Sequence, residues 1–140
     1  MPVIIKTYNV FIRLATCLQP LVLLLFRLWI ARVFFLSGLV KINDWSSTLS
    51  LFATEYKVPV LPPYFAAISS TCFELSCPVL LTLGLGTRLA TLPLLAMTAV
   101  IQFTYDRNIQ HAYWAMLLVA LLAFGPGKLS LDHFMKTERK

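Results

Sequence analysis

The chain has 140 residues, 59% hydrophobic and 13% charged, with twelve Lys and Arg against six Asp and Glu for a net charge of +6. Soluble domains carry about 25% charged residues, and a fold this small has too little interior to hide so much apolar surface from water. An ordinary soluble domain is therefore excluded; so is a nucleic-acid binder, because the cations gather at the edges of apolar segments rather than on one aromatic-interleaved face.

The first element in chain order is Val3–Leu18, where Lys6, Asn9, Arg13 and Thr16 fall at spacings of three, four and three. They form one polar stripe on a helix otherwise built from Val, Ile, Phe and Leu. Such a helix is expected to lie in the membrane interface with its cations toward the headgroups. Gln19-Pro20 is expected to turn the chain from this helix into the first span, because proline suits a first helical turn.

A membrane-crossing helix needs about 20 mainly apolar residues. Four segments qualify: 21–40, 64–83, 89–105 and 110–129, the last only with help from residues flanking Ala112–Phe124. The first is no cleaved signal, since it is long, contains Arg27 and Arg32, and ends in Lys41 without a small-residue site. Between spans one and two, Trp45, Leu49, Phe52 and Tyr56 repeat at helical spacing behind Asp44, a suitable N-cap. This predicts a short helix on the outer surface, ended by VPVLPP. Gly84–Arg88 (GLGTR) is a tight turn, since the strand and the rest of a nucleotide fingerprint are missing. The expected fold is one all-α domain, an integral membrane four-helix bundle with an interfacial amino-terminal helix.

Four passes put the amino end, the Gly84–Arg88 turn and the tail on one side. That side holds Lys6, Arg13, Arg88, Lys128, Lys136, Arg139 and Lys140, against Lys41, Lys57 and Arg107 on the other. The excess of cations predicts that both termini are cytoplasmic. Cys17, Cys72 and Cys77 have no disulfide or metal spacing and are expected to be buried small hydrophobes.

Charge inside a span marks function by default. Counted in from the outer span ends, Arg32 lies about 12 Å deep, Arg27 nearer 20 Å, and Glu74 of span two about 15 Å from the same side. Glu74 is thus expected to pair with one arginine. The second cation then requires backbone carbonyls, water, or an anionic or electron-rich ligand. A further polar set, including Lys41, Asp44, Gln102, Asp106 and His111, collects at the outer end; His111 is suited to proton relay because imidazole titrates near neutrality. His111 and His133 fall on opposite faces and the cysteines lack ligand spacing, so no haem or metal site is expected.

With the spans placed, ARVFFLSGLVKINDW, CFELSCPVLLTLGLGTRLA, HAYWA and GPGKLSLDHF together resemble the DoxX family of bacterial membrane proteins, from Arg27 to Phe134. The likeness is greatest to members encoded beside multinuclear iron oxygenases that modify metal-binding peptides. The resemblance implies an inner-membrane bundle in redox company, such as a quinone-linked thiosulfate oxidoreductase subunit or a complex with superoxide dismutase and a sulfurtransferase. It carries over onto Arg32, Lys41, Glu74 and the closing motif Gly125, Pro126, Gly127, Ser130 and Asp132.

The function expected is a membrane redox accessory, at most an oxidoreductase subunit, that binds a quinone-like ligand. Arg32 and Lys41 would hydrogen-bond the ligand oxygens, Glu74 would orient them, and His111 would relay protons, with Arg27 and Gln102 as further candidates. Two rivals stand beside it. One is a non-catalytic anchor or assembly partner, with the 43–63 segment and the tail docking proteins of a redox or peptide-modification system. The other is a transporter of a small anion or metal complex, which at this length would need to form a homo-oligomer.

Overall fold

A computed structural model describes residues 2–105 and 107–137, with side chains from residue 4 onward. Asp106, Arg139 and Lys140, which enter the sequence argument above, lie outside the described residues. The described chain is all-helical: α1 Pro2–Asn43, α2 Trp45–Leu51, a π-helical turn Phe52–Tyr56, α3 Pro63–Leu83, α4 Thr87–Thr104, α5 Ile109–Phe124 and α6 Leu131–Thr137.

Helices α1, α3 and α4 are each long and apolar enough to cross a membrane, while α5 is a shorter apolar helix of 16 residues. At 1.5 Å per residue α5 spans about 24 Å. It ends at Gly125, whose N–H donates to Leu121 O at 2.9 Å, and residues 125–130 are not helical. The helix takes in Ile109–His111, one of the two flanks expected to complete the fourth span, and stops before residues 125–129.

A correction concerns the amino end. α1 runs unbroken through Pro20 for 42 residues, so Gln19-Pro20 does not turn the chain. Proline deletes one backbone donor, but in lipid a break would leave more groups unsatisfied than the single carbonyl a continuous helix gives up. Every residue from Ile4 to Gln19 is exposed. The polar stripe thus sits on a helix that no other described element covers.

The second half of α1 packs on α3, α3 on α4, α4 on α5, and α5 back on α1. Ile30, Ala31 and Phe34 of α1 meet Cys77 and Leu81 of α3, Ala90 and Leu94 of α4, and Leu118 of α5 in one core. Large apolar side chains also cover the outer faces, among them Leu28, Phe35, Phe73, Leu92 and Val119. Lipid-facing surfaces have no reason to bury such groups. The same reasoning corrects the cysteines: Cys77 is buried, whereas Cys17 and Cys72 are exposed, and all three are free.

Two glycines set the close contacts. A Cβ at Gly38 would lie 2.9 Å from Leu75 Cδ2 and 3.1 Å from Glu74 Cβ, so the missing side chain lets α1 approach α3 beside the glutamate. Gly84 ends α3 at φ 69°, a conformation costly for other residues. Leu85 N–H donates to Leu80 O at 2.9 Å and Gly84 N–H to Leu81 O at 3.1 Å, the paired bonds of a Schellman turn.

Candidate functional site

Glu74 is 1% exposed and is held by Lys41, not by either arginine. Lys41 Nζ donates to Glu74 Oε1 at 2.6 Å and Oε2 at 2.5 Å, and to Ser37 Oγ at 3.2 Å. Ser37 Oγ in turn donates to Glu74 Oε1 at 3.4 Å. A buried pair is tolerated when its remaining hydrogen-bonding capacity is met in this way.

The expected pairing fails because the span ends are not level. Lys41 is two residues from the end of α1, while Glu74 is eleven from the start of α3. On this side α3 therefore rises on the order of 10 Å beyond α1. The α2 segment and its π turn fill that step. Asp44 caps α2 by accepting from Ser47 N–H at 3.1 Å, and those bonds, with Ser46, hold its carboxyl below the usual carboxylate range. Thr48 Oγ1 donates to Lys41 O at 3.2 Å, tying α2 to α1. Phe52 packs on Ala66 and Ala67 of α3, with Trp45, Leu49 and Tyr56 around it. The aromatic stripe turns inward onto α3.

Beneath this segment is a cavity of about 220 Å³. Lys41 and Glu74 form its polar end, Tyr56 and Ser70 add hydroxyls, and Phe73, Met97 and Ile101 contribute to apolar walls. Tyr56 packs edge-on against Phe52 and Tyr105, with centroids 4.9 and 5.0 Å apart. Its burial, then nearby Tyr105 and Glu74, push the phenol up to about 12, so it keeps its proton at physiological pH. The chain leaves the π turn through Lys57 at φ 40° and Val60 at φ 78°. Val60 is 99% exposed, and positive φ at a β-branched residue is strained. π turns and such strain recur at functional sites.

The other predicted residues fall elsewhere. Arg32 is exposed, beside Leu28, Phe35 and Pro78 on the outer face of α1 and α3. At about 100° per residue it points opposite to Lys41, nine residues on, so the two cannot hold one ligand. His111, on the first turn of α5, packs tilted against Trp114 with ring centroids 5.1 Å apart and planes at 59°, and does not line the cavity. Gln102 Oε1 is buried one residue beyond the cavity wall, without a hydrogen-bond partner among the described residues.

Arg27 lies at the far end of the bundle and is 1% exposed. Nη2 donates to Leu129 O at 2.5 Å, while Nε and Nη1 have no partner among the described residues. The closing motif surrounds it. Asp132 accepts from Gly86 N–H at 2.9 Å and Thr87 N–H at 3.3 Å, capping α4, and its own N–H donates to Gly84 O at 3.1 Å. Ser130 Oγ donates to Gly127 O at 2.7 Å, and Arg88 Nη2 to Ala123 O at 3.1 Å. Gly125–Asp132 thus fastens the end of α5 to the α3–α4 turn.

This pattern of a charged α1, a glutamate on α3 and a tight turn into α4 spans the matched part of the chain: the profile of the DoxX family covers residues 22–107. The chain belongs to the DoxX family. No curated protein and no solved structure matches it. Membership and the apolar helices make this DoxX chain a multi-pass membrane protein. Sequence reasoning missed Ser37 and Tyr56 as site residues. Ser37 was legible as the i−4 neighbour of Lys41 on one helix face, and Tyr56 lay in the aromatic stripe assigned to packing.

Proposed function

We propose that this DoxX protein is a membrane redox accessory that binds a quinone-like head group in the cavity ending at Lys41–Glu74. The observation that carries the reading is a small apolar chamber with one charged, hydrogen-bonded end beside a protonated phenol. A volume near 220 Å³ is below that of pockets for drug-sized ligands, which suits a single ring with its tail left in lipid. Glu74 and Ser37 take up the three N–H groups of the Lys41 ammonium, so the pair offers the head group a fixed polar wall and the donor to a carbonyl is the Tyr56 hydroxyl.

In this reading α1, α3, α4 and α5 all cross the inner membrane as one domain, both termini are cytoplasmic, and a partner oxidoreductase system supplies electrons. Organic extraction of protein purified in mild detergent, followed by mass spectrometry, tests the ligand. The wild type should carry a quinone, and Ala96→Phe, which fills the cavity from α4 without touching the ion pair, should lose it. A quinone-free wild type, or equal loading of the two, contradicts the proposal.

The second reading is a non-catalytic anchor or assembly partner, favoured by the uncovered first half of α1, with Tyr8, Phe11, Leu14 and Leu18 all exposed. There the Lys41–Glu74 pair only locks α1 to α3. Removing residues 2–19 should then abolish co-purification of partner subunits, while cavity filling should leave it intact.

A further inference from the structure

The end of the bundle away from the quinone cavity carries a second hollow, of about 530 Å³, between the start of α4 and the loop and helix that follow α5. Arg88, Lys128 and Lys136 line it, with His133 beside them. Among the described residues its single carboxylate, Asp132, is already engaged by the N–H groups of Gly86 and Thr87. The first turn of α4 is therefore served from within the chain, with both Asp132 oxygens engaged there. Directly behind the loop, Arg27 adds a buried cation with two nitrogens lacking partners among the described residues. Three cations thus line the hollow against one carboxylate among the described residues, with Arg27 buried behind it.

An anion is the ligand this imbalance favours, and the rim shows which kind. Leu89, Phe124 and Met135 line the same hollow and are exposed at 74%, 66% and 48%. On α6, Leu131 and Phe134 are exposed as well. A soluble anion needs no such apolar rim, whereas a phospholipid presents its phosphate and its acyl chains together. Basic pockets at the ends of membrane helices bind anionic headgroups in this manner. We propose that the hollow formed by Arg88, Lys128 and Lys136 is a specific site for an anionic phospholipid, its phosphate among the three cations and its chains along Leu89 and Phe124. The site is independent of the quinone reading.

Delipidated full-length protein in mild detergent, titrated with phosphatidylglycerol or phosphatidylcholine and followed by native mass spectrometry, tests this. Phosphatidylglycerol should bind at one or two copies per chain and at least tenfold more tightly than phosphatidylcholine. Lys128→Gln/Lys136→Gln should weaken it roughly tenfold or more. Those two lysines are exposed, so the variant should fold; Arg88→Lys, which keeps the charge but not the bond to Ala123, should lose less. The control Lys6→Gln/Arg13→Gln, on the exposed half of α1, should bind as wild type. Equal affinity for the two lipids, or equal losses in the lysine variant and the control, would overturn the site. Displacement of the lipid by micromolar inorganic phosphate would assign the hollow to a soluble anion and overturn the lipid reading.

Discussion

Lys41 and Arg27 are both buried cations of α1, fourteen residues apart and so on nearly the same helix face, about 21 Å from one another. Lys41 meets a carboxylate and a serine, and a cavity opens beside it. Arg27 meets one carbonyl and keeps two nitrogens without a partner among the described residues. A satisfied pair beside empty space can present a charge to a ligand without collapsing. An under-satisfied cation packed under a loop instead contributes to the potential of what lies above it. The same residue class on one helix is thus ion-paired beside a cavity at one end and packed under a loop at the other.

Lys41→Met should break this comparison most severely, because Glu74 would remain buried with only Ser37 for company. A loss of about 3–5 kcal/mol is expected, read by thermal unfolding in detergent; unchanged stability would mean that the pair does not hold α1 to α3. Arg27→Met removes a cation that was never fully compensated and leaves one carbonyl bare, so its cost should be nearer 1–3 kcal/mol. Equal costs for the two substitutions would erase the distinction between the ends. A smaller effect, about 1 kcal/mol, is expected of Gly38→Ala, where the flexible Leu75 side chain can give way but Glu74 Cβ at 3.1 Å yields less. Ligand affinity should fall with it as α1 moves off the cavity.

The mildest perturbation is Asp44→Ala, which uncaps α2 above the cavity. The Asp44 carboxyl is held below its ordinary value by its bonds to Ser47 and Ser46. Its stabilisation is therefore present above the unfolded carboxylate pKa and is lost as pH falls through the lower folded one. Wild type and Asp44→Ala should differ at neutral pH and converge in acid. A difference that persists at the acid end would show that the cap is not the source.

Much of this architecture was legible in the sequence. The hydropathy of α1, α3 and α4, the Asp44 cap and the Gly84 turn follow from local rules that lipid does not override. Pro20 misled because a proline that would end a helix in water is carried through one in a membrane. The site misled for a different reason. Depth was counted from span ends taken as level, and the stagger of α1 against α3 is set by the packing of α2 and its π turn. The helical wheel of α1 did hold part of the answer. Arg27, Phe34 and Lys41 repeat every seven residues on one face, while Arg32 points away. The closing motif carried no local clue to its task, because Asp132 caps a helix that begins 45 residues earlier.

In the function proposed above, the Lys41–Glu74 end of the cavity binds a quinone head and is more than a clamp between two helices. Replacing both partners with apolar residues of similar size should largely restore the stability lost in Lys41→Met, since no charge is left unpaired. The deciding measurement is therefore short-chain ubiquinone binding to the Lys41→Met/Glu74→Leu protein, by native mass spectrometry, beside a melting curve. A near-wild-type melting temperature with binding abolished is expected; wild-type affinity in that folded variant would rule out quinone binding at the pair.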